Sequence, residues 1–262
     1  ILRLRFTLLL KMLCICSSIF NNKVNRNRKI AQIYKKIEDG APLTYDDANT
    51  FAQEVGDILA SAFKRVFSPA SLPDGKMYYN IADRVVRPML NGNYDLIAEV
   101  AEQTQWSLNR AAGINLGVKR PKVNADRVQG LIDKVSSYDT YEKAAWVLDE
   151  PVINFSQSVV DEFIKANAEF QYEVGFKPRI TRKLAYKCCE WCAGIAGEYE
   201  YPRVPDDFYR RHERCRCTII YEPSKGKFQG AHSKREYSSV HEAEIEERKA
   251  NLNRDTTRKA KS

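Results

Sequence analysis

The chain has 262 residues, of which 44% are hydrophobic, and its formal net charge is +8 at pH 7. This hydrophobic content excludes a globally disordered chain, and the length suffices for one large domain or two small ones. The positive balance suits an acidic partner, such as nucleic acid or an acidic protein surface, although solubility alone would also explain it.

Residues 1–22 are either a leader or a wrongly assigned start. They have the basic beginning and apolar middle of a signal peptide, but no small-x-small cleavage site follows. Basic residues also interrupt the apolar run, so it does not match a membrane span, which needs about 20 apolar residues. The favoured interpretation is that Met12 begins the chain and that the residues before it are translated upstream sequence.

Residues 23–174 are predicted to form a helical region. Apolar residues recur there at helical spacing, and glycine, proline or asparagine separates the periodic segments. The predicted helices span residues 23–36, 44–67, 78–90, 94–112, 125–136, 141–150 and 152–172.

Local signals set several of these helix boundaries. Thr44 precedes the acidic residues Asp46 and Asp47, which is typical of a helix N-cap and first turn. Thr140 is likewise predicted to cap a helix. The sequence Asn-Gly-Asn at 91–93 predicts a break, so 78–90 and 94–112 are expected to be separate helices.

Residues 175–223 are predicted to form a small module with a short β-sheet, called here the Cys/His module. Strands are predicted over 179–185, 198–201 and 215–221, and a helical turn over 205–211. The predicted fold class is therefore α+β, with a mainly helical N-terminal region followed by this stapled module. Residues 224–262 are charged and poor in aliphatic side chains, which predicts a flexible tail.

The Cys/His module concentrates residues that bind metal ions. Cysteines are absent from the long middle of the chain, and their clustering does not resemble a secreted disulfide framework. A C-x-x-C pair is followed by an H-x-x-C-x-C segment, which is the ligand spacing of a zinc site. The candidate metal ligands are Cys189, Cys192, His212, Cys215 and Cys217.

These candidates exceed the places that a tetrahedral zinc ion offers. The preferred set is Cys189, Cys192 and Cys215 with either His212 or Cys217, and Cys188 is a sixth candidate; a disulfide or idle thiols are the alternatives. Four protein ligands would make a structural site that contributes on the order of 10 kcal/mol to folding.

No catalytic signature accompanies these residues in the sequence. Zinc deaminases require H-x-E followed by P-C-x-x-C, whereas here the C-x-x-C comes first and Glu213 directly follows His212. A P-loop, a G-x-S-x-G elbow and an H-E-x-x-H motif are also missing from the sequence. The sequence therefore predicts a protein without enzymatic activity.

Basic residues surround the second group of candidate ligands. Held on a rigid module, they could contact DNA phosphates or an acidic protein surface, while solvated charge is the plainer interpretation. Trp191 is expected to cover the metal site rather than to stack on a base. The candidate partner- or DNA-binding residues are Arg210, Arg211, Arg214 and Arg216.

Residues 175–223 resemble the minor head proteins of tailed bacteriophages, the phage Mu F-like head-morphogenesis family. The resemblance rests on a C-x-x-C, a tyrosine-rich connector and an H-x-x-C-R-C-T segment that leads into a strand. The chain departs from the family in having Glu213 and Arg214 where many members have Pro-Asn, and in its extra Cys188. The residues that carry the resemblance are Cys189, Cys192, His212, Cys215, Arg216, Cys217 and Thr218.

The resemblance implies a non-enzymatic phage or prophage protein of the virion that acts in head assembly while it is in the host cytoplasm. Its partners would be the portal, scaffold or major capsid protein, and phage DNA is a candidate partner in packaging or delivery. Neither a small-molecule substrate nor a membrane is expected, and zinc would be a structural cofactor. The alternative is a zinc-stabilised nucleic-acid-binding protein unrelated to capsids.

Overall fold

The computed structural model describes residues 24–186 and 188–223, so the predictions for 1–22 and 224–262 lie outside the described residues. Short 3-10 turns precede α3 (Pro69–Ser71 and Pro73–Gly75) and α6 (Ala145–Leu148). The helices are α1 (Val24–Glu38), α2 (Tyr45–Val66), α3 (Tyr79–Ala111), α4 (Ala125–Ser136), α5 (Tyr141–Ala144), α6 (Glu150–Glu173) and α7 (Glu190–Gly194). The strands are β1 (Arg179–Lys183), β2 (Gly197–Glu200) and β3 (Thr218–Glu222).

Helices α2 and α6 pack closely against each other at the centre of the helical region. Gly56 permits this approach, because a Cβ there would lie 2.8 Å from Ser156 Oγ and 3.1 Å from Ile153 Cα. Thr44 caps α2 as predicted: its side chain accepts from the Asp47 amide, and the Asp47 carboxylate accepts from the Thr44 amide at 3.0 Å.

The strands form one antiparallel sheet in the order β2-β1-β3. Ile180 of the central strand lies opposite Tyr199 and Tyr221 and is fully buried. The buried residues of this sheet belong to the same apolar cluster as those of the helices, and Asn49 of α2 donates to the Ile219 carbonyl at 2.8 Å. The predicted α+β fold is confirmed, with the sheet packed on the helical region.

A buried polar network also joins the sheet to the helices. The Tyr45 hydroxyl donates to Gln105 at 2.6 Å, and both Gln105 and Gln171 donate to the Asn109 side-chain oxygen at 2.9 and 2.8 Å. The Tyr221 hydroxyl donates to Gln171. Because α2, α3, α6 and β3 each contribute, the network fixes β3 relative to three helices.

The predicted break at residues 91–93 is wrong, since α3 runs unbroken from 79 to 111. Asn93 is buried and donates to Ser156 Oγ at 2.7 Å, so its polar side chain has a partner inside the helical packing. Pro88 lies on the exposed side, while Val86 and Leu90 are fully buried on either side of it. Tertiary packing therefore overrides the weak helix propensity of this segment.

Other boundaries also differ from the sequence prediction. Thr140 precedes α5 but its side chain makes no capping hydrogen bond. Residues 206–209 form hydrogen-bonded turns rather than a helical turn, and β3 begins at Thr218, so Cys215 and Cys217 precede the strand. Among the described helices, none combines the length and apolarity needed to cross a membrane.

Candidate metal centre

The C-x-x-C pair folds into the start of α7. Cys189 is the N-cap residue, and its sulfur accepts a hydrogen bond from the Cys192 amide at 3.4 Å. This turn brings the Cys189 and Cys192 sulfurs to the same side, as a metal-binding knuckle requires. The backbone amide also lowers the pKa of the exposed Cys189 thiol.

His212 approaches both sulfurs of this turn. Its Nε2 lies 3.3 Å from Cys189 Sγ and 3.1 Å from Cys192 Sγ. The other ring nitrogen, Nδ1, lies 2.6 Å from the Glu213 carbonyl oxygen, which accepts only a protonated nitrogen. With Nδ1 as the donor to this carbonyl, Nε2 is the ring nitrogen that faces the sulfurs and is free to bind a metal ion.

The two remaining cysteines, Cys215 and Cys217, are buried and lie on the inner side of the site. Cys192 Sγ lies 3.9 Å from Cys215 Sγ. Two groups of possible ligands share Cys192: one with Cys189 and His212, the other with Cys215 and Cys217, and within each group the ligand atoms lie within 4.8 Å of one another. All five predicted ligands therefore converge, and the arrangement could hold a metal ion. We call these five residues the Cys/His cluster.

The spacing within the Cys/His cluster is close to that of ligand atoms around zinc. Zn–S bonds of about 2.3 Å and Zn–N bonds of about 2.0 Å place tetrahedral ligand atoms roughly 3.5–3.8 Å apart. The observed distances of 3.1, 3.3 and 3.9 Å bracket this range. Cys188 is exposed and belongs to neither group, so the structure sets it apart from the other candidates.

Burial differs sharply across the Cys/His cluster. Cys189 is exposed, whereas Cys192, Cys215 and Cys217 are 0%, 1% and 2% exposed. Burial and the neighbouring Cys215 raise the pKa of Cys192 to about 12, against the lowering effect of Arg182. A bound metal ion would deprotonate this thiol.

Trp191 lies against the Cys/His cluster as the sequence suggested. Its ring meets the His212 ring edge to face, with centroids 6.0 Å apart and planes at 88°. The Arg182 guanidinium lies over the Trp191 ring, 5.6 Å from its centroid. Trp191 is 36% exposed, so its ring contacts both the Cys/His cluster and solvent.

A polar stripe on α6 holds the segment that carries His212, Cys215 and Cys217. Its members are spaced by four, three and four residues and therefore lie on one helix face. Sequence reasoning missed this stripe, although polar residues at helical spacing in an otherwise apolar helix were a readable signal. The polar stripe consists of Glu150, Asn154, Gln157 and Asp161.

Two members of the polar stripe bind backbone carbonyls next to the ligands. The Asn154 amide donates to the His212 carbonyl at 3.0 Å. With the Gln157 amide oriented to satisfy both of its ends, it donates to the Cys215 carbonyl at 2.9 Å. These bonds fix the backbone at His212 and Cys215 without occupying the ligand atoms.

The other two members of the polar stripe form ion pairs. Asp161 accepts from Arg211 at 2.5 and 2.8 Å, and Arg211 also donates to the Cys217 carbonyl at 2.8 Å. Glu150 accepts from Arg216 at 2.9 and 3.2 Å. The four residues of the polar stripe therefore each contact the segment 211–216, which carries His212 and Cys215.

No family model, curated protein or solved structure matches the chain. The function of the Cys/His cluster therefore has to be inferred from its own chemistry and from the motif resemblance.

The structure places the four candidate arginines in different environments. The Arg211 and Asp161 side chains are only 1% and 2% exposed, so Arg211 cannot contact DNA or a partner and that prediction is wrong for it. Arg216 is partly covered by its pair with Glu150. Arg210 and Arg214 are 72% and 77% exposed, and each lies within 4 Å of a neighbouring carboxylate.

Arg182 is a further residue of the site that sequence reasoning missed. It is 2% exposed and donates to the carbonyls of Phe208 and Arg210 and to the sulfurs of Cys192 and Cys215 at 3.7 and 3.6 Å. The signal was its place in β1, where alternation puts it on the same face as Ile180. A charged residue at an inward strand position indicates a buried charge that needs polar partners.

Proposed function

We propose that the Cys/His module binds one structural zinc ion, and that the protein is a phage minor head protein acting in head assembly. The observation that carries the metal proposal is the convergence of an imidazole nitrogen and several sulfurs on one point beside Cys192. Thiolate and imidazole ligands at tetrahedral spacing favour zinc among the common metal ions.

The proposed ligands are Cys189, Cys192, His212 and Cys215. The first three share one group, and Cys215 has the sulfur at 3.9 Å from Cys192 together with a hydrogen bond from Arg182. Cys217 remains the alternative fourth ligand, because it lies within the second group. Either choice closes the coordination sphere with protein atoms, which is the mark of a structural rather than a catalytic zinc site.

The head-assembly proposal rests on the resemblance of residues 175–223 to the phage Mu F-like family. The placement of the arginines supports a protein partner over DNA, since only Arg210 and Arg214 of the four candidates are exposed. A carboxylate lies beside each of these two arginines and weakens the attraction of its positive charge for DNA phosphates. A portal, scaffold or major capsid protein is therefore the proposed partner.

Elemental analysis tests the metal proposal. Protein purified without added metal, in a reducing buffer, is expected to carry about one zinc per chain. The proposal is overturned by a content below roughly a tenth of that. A parallel purification without reductant, in which Cys189 and Cys215 were found disulfide-linked, would favour the disulfide alternative.

Binding experiments at two salt concentrations test the assembly proposal. The purified chain is expected to co-sediment with portal rings of the same phage, or with its scaffold or capsid protein, at both low and high salt. Binding to duplex DNA is measured in parallel. Failure to bind any of these proteins, with DNA affinity that falls steeply as salt rises, would support the nucleic-acid-binding alternative.

A further inference from the structure

Arg182 carries a buried positive charge without a carboxylate partner in the described part of the chain. Its hydrogen-bond acceptors are two carbonyl oxygens and the sulfurs of Cys192 and Cys215. A buried guanidinium usually requires a neutralising anion, because an unpaired charge loses its favourable hydration when it is removed from water. Neutral thiols would not supply that anion, whereas thiolates would.

Arg211, the other buried arginine beside the sulfurs, already has an anion. Asp161 contacts it with both carboxylate oxygens. Of these two arginines, Arg182 is therefore the one whose charge the Cys/His cluster would have to balance. Its position is also fixed, since the Phe208 and Arg210 carbonyls and the Trp191 ring hold the guanidinium on three sides.

We propose that Arg182 balances the charge of the metal centre and thereby selects three thiolates and one imidazole as its ligands. This inference rests on the zinc site proposed above. The charge of three thiolates exceeds that of Zn²⁺ by one, and Arg182 supplies the missing positive charge through N–H···S hydrogen bonds. Four thiolates would leave the buried centre too negative, and two thiolates with two imidazoles would leave it too positive.

The charge balance predicts a specific coupling between Arg182 and the exposed ligand Cys189. Arg182→Gln removes one positive charge, and Cys189→His removes one negative charge from the metal-bound centre. Each single variant is expected to lower zinc affinity by about 10–100-fold, the usual effect of changing a residue that supports metal ligands. The double variant restores neutrality and is expected to bind zinc more tightly than Arg182→Gln alone.

The experiment measures zinc affinity by competition with a chromophoric chelator in the full-length chain. Arg179→Gln is the matched control, because Arg179 lies in the same strand but is 40% exposed and pairs with Glu198 and Glu222. Its affinity should equal that of the wild type. If the losses of Arg182→Gln and Cys189→His simply add in the double variant, charge balance is overturned.

Arg182→Lys is the second variant, and it tests the role of the positive charge if Arg182→Gln does not fold. Lysine retains the charge but not the planar fork, so zinc affinity is expected to stay within about tenfold of the wild type. A larger loss would show that Arg182 acts through packing and would overturn charge balance. Absence of zinc in the wild-type protein would instead defeat the proposed function, so the two failures are distinguishable.

Discussion

The helical region and the surroundings of the Cys/His cluster are stabilised by different interactions. Helices α2, α3 and α6 bury large apolar side chains such as Phe51, Ile97 and Phe163 completely. The side chains of Cys192, Cys215 and Cys217 form a separate small cluster, and among the partly buried hydrophobic residues of the described chain only Ala185 packs against it. Apolar burial stabilises the helical region and the sheet packed on it, while ion pairs, hydrogen bonds and the proposed metal ion stabilise the segments around the sulfurs.

This difference implies that the two regions respond to different perturbations. Apolar packing depends on the volume and shape of side chains and is indifferent to chelators. A site held by thiolates depends on metal supply, redox state and the charges around it. Variants at Cys192, Arg211 and Gly56 test whether these two responses are separate.

Cys192→Ser is expected to have the largest effect, because Cys192 belongs to both groups of possible ligands. Zinc content should fall from about one per chain to below roughly a tenth, removing a contribution on the order of 10 kcal/mol from the Cys/His module. The far-UV circular dichroism of the helices should be largely retained, while trypsin cleavage within 184–216 should accelerate. Elemental analysis and limited proteolysis measure the two effects.

Cys188→Ser is the matched control for this variant. Cys188 is exposed and lies outside both ligand groups, so zinc content and proteolysis should match those of the wild type. If Cys188→Ser lost the metal as well, or if Cys192→Ser retained it, the assignment of the ligands would be wrong.

Arg211→Leu is expected to cost about 3–5 kcal/mol, because it leaves Asp161 buried without a positive partner. The pair joins α6 to the Cys/His module, with side chains only 1% and 2% exposed. Both the free energy of unfolding and the zinc affinity should therefore fall. Denaturant unfolding followed by circular dichroism measures the first quantity, and chelator competition measures the second.

The double variant Asp161→Leu with Arg211→Leu separates pairing from packing. It should recover much of the loss, since replacing both members of a buried ion pair by apolar residues is often nearly neutral. A double variant as unstable as Arg211→Leu alone would show that the hydrogen bond from Arg211 to the Cys217 carbonyl, and not the ion pair, dominates.

Gly56→Ala is expected to have the smallest effect of the three and to leave the metal centre intact. Its Cβ would lie 2.8 Å from Ser156 Oγ, which Asn93 and the Val152 carbonyl hold in place. Overpacking of this kind costs about 1–3 kcal/mol, partly offset by the better helix propensity of alanine. The free energy of unfolding should fall while zinc content stays unchanged.

Gly92→Ala provides the control for that variant. Gly92 lies inside α3 with no atom within 4 Å of an added Cβ, so alanine should stabilise the protein by about 0.5–1 kcal/mol. An unchanged stability of Gly56→Ala would contradict the described packing of α2 against α6. A loss of stability in Gly92→Ala would contradict the open space described around Gly92 in α3.

The sequence predicted the elements whose signals are local. The N-cap at Thr44, most of the helices and the strands β1, β2 and β3 follow from spacing and turn residues, within a few residues of their observed bounds. The convergence of the candidate ligands was also predictable, because C-x-x-C and H-x-x-C-x-C segments have only a few ways to meet around one ion.

The contacts that position these ligands were not predictable in the same way. Arg211 and Arg214 look alike in the sequence, yet one is buried against Asp161 and the other is exposed, because α6 passes beneath only the first. The continuity of α3 through Asn93 likewise depends on Ser156, which lies 63 residues away in the chain. Such partners are set by tertiary packing, which local periodicity does not encode.

Helix α6 serves both regions at once, and this limits how portable the Cys/His module is. One face of the helix inserts Phe155 and Phe163 into the helical core, while the polar stripe grips the segment carrying His212 and Cys215. A fragment of residues 175–223 would lack α6 and its polar stripe. Its His212 and Cys215 would then lose the hydrogen bonds that fix their backbone carbonyls. The candidate metal centre therefore depends on α6 for its support, and we expect zinc affinity to fall wherever the helical region is unfolded.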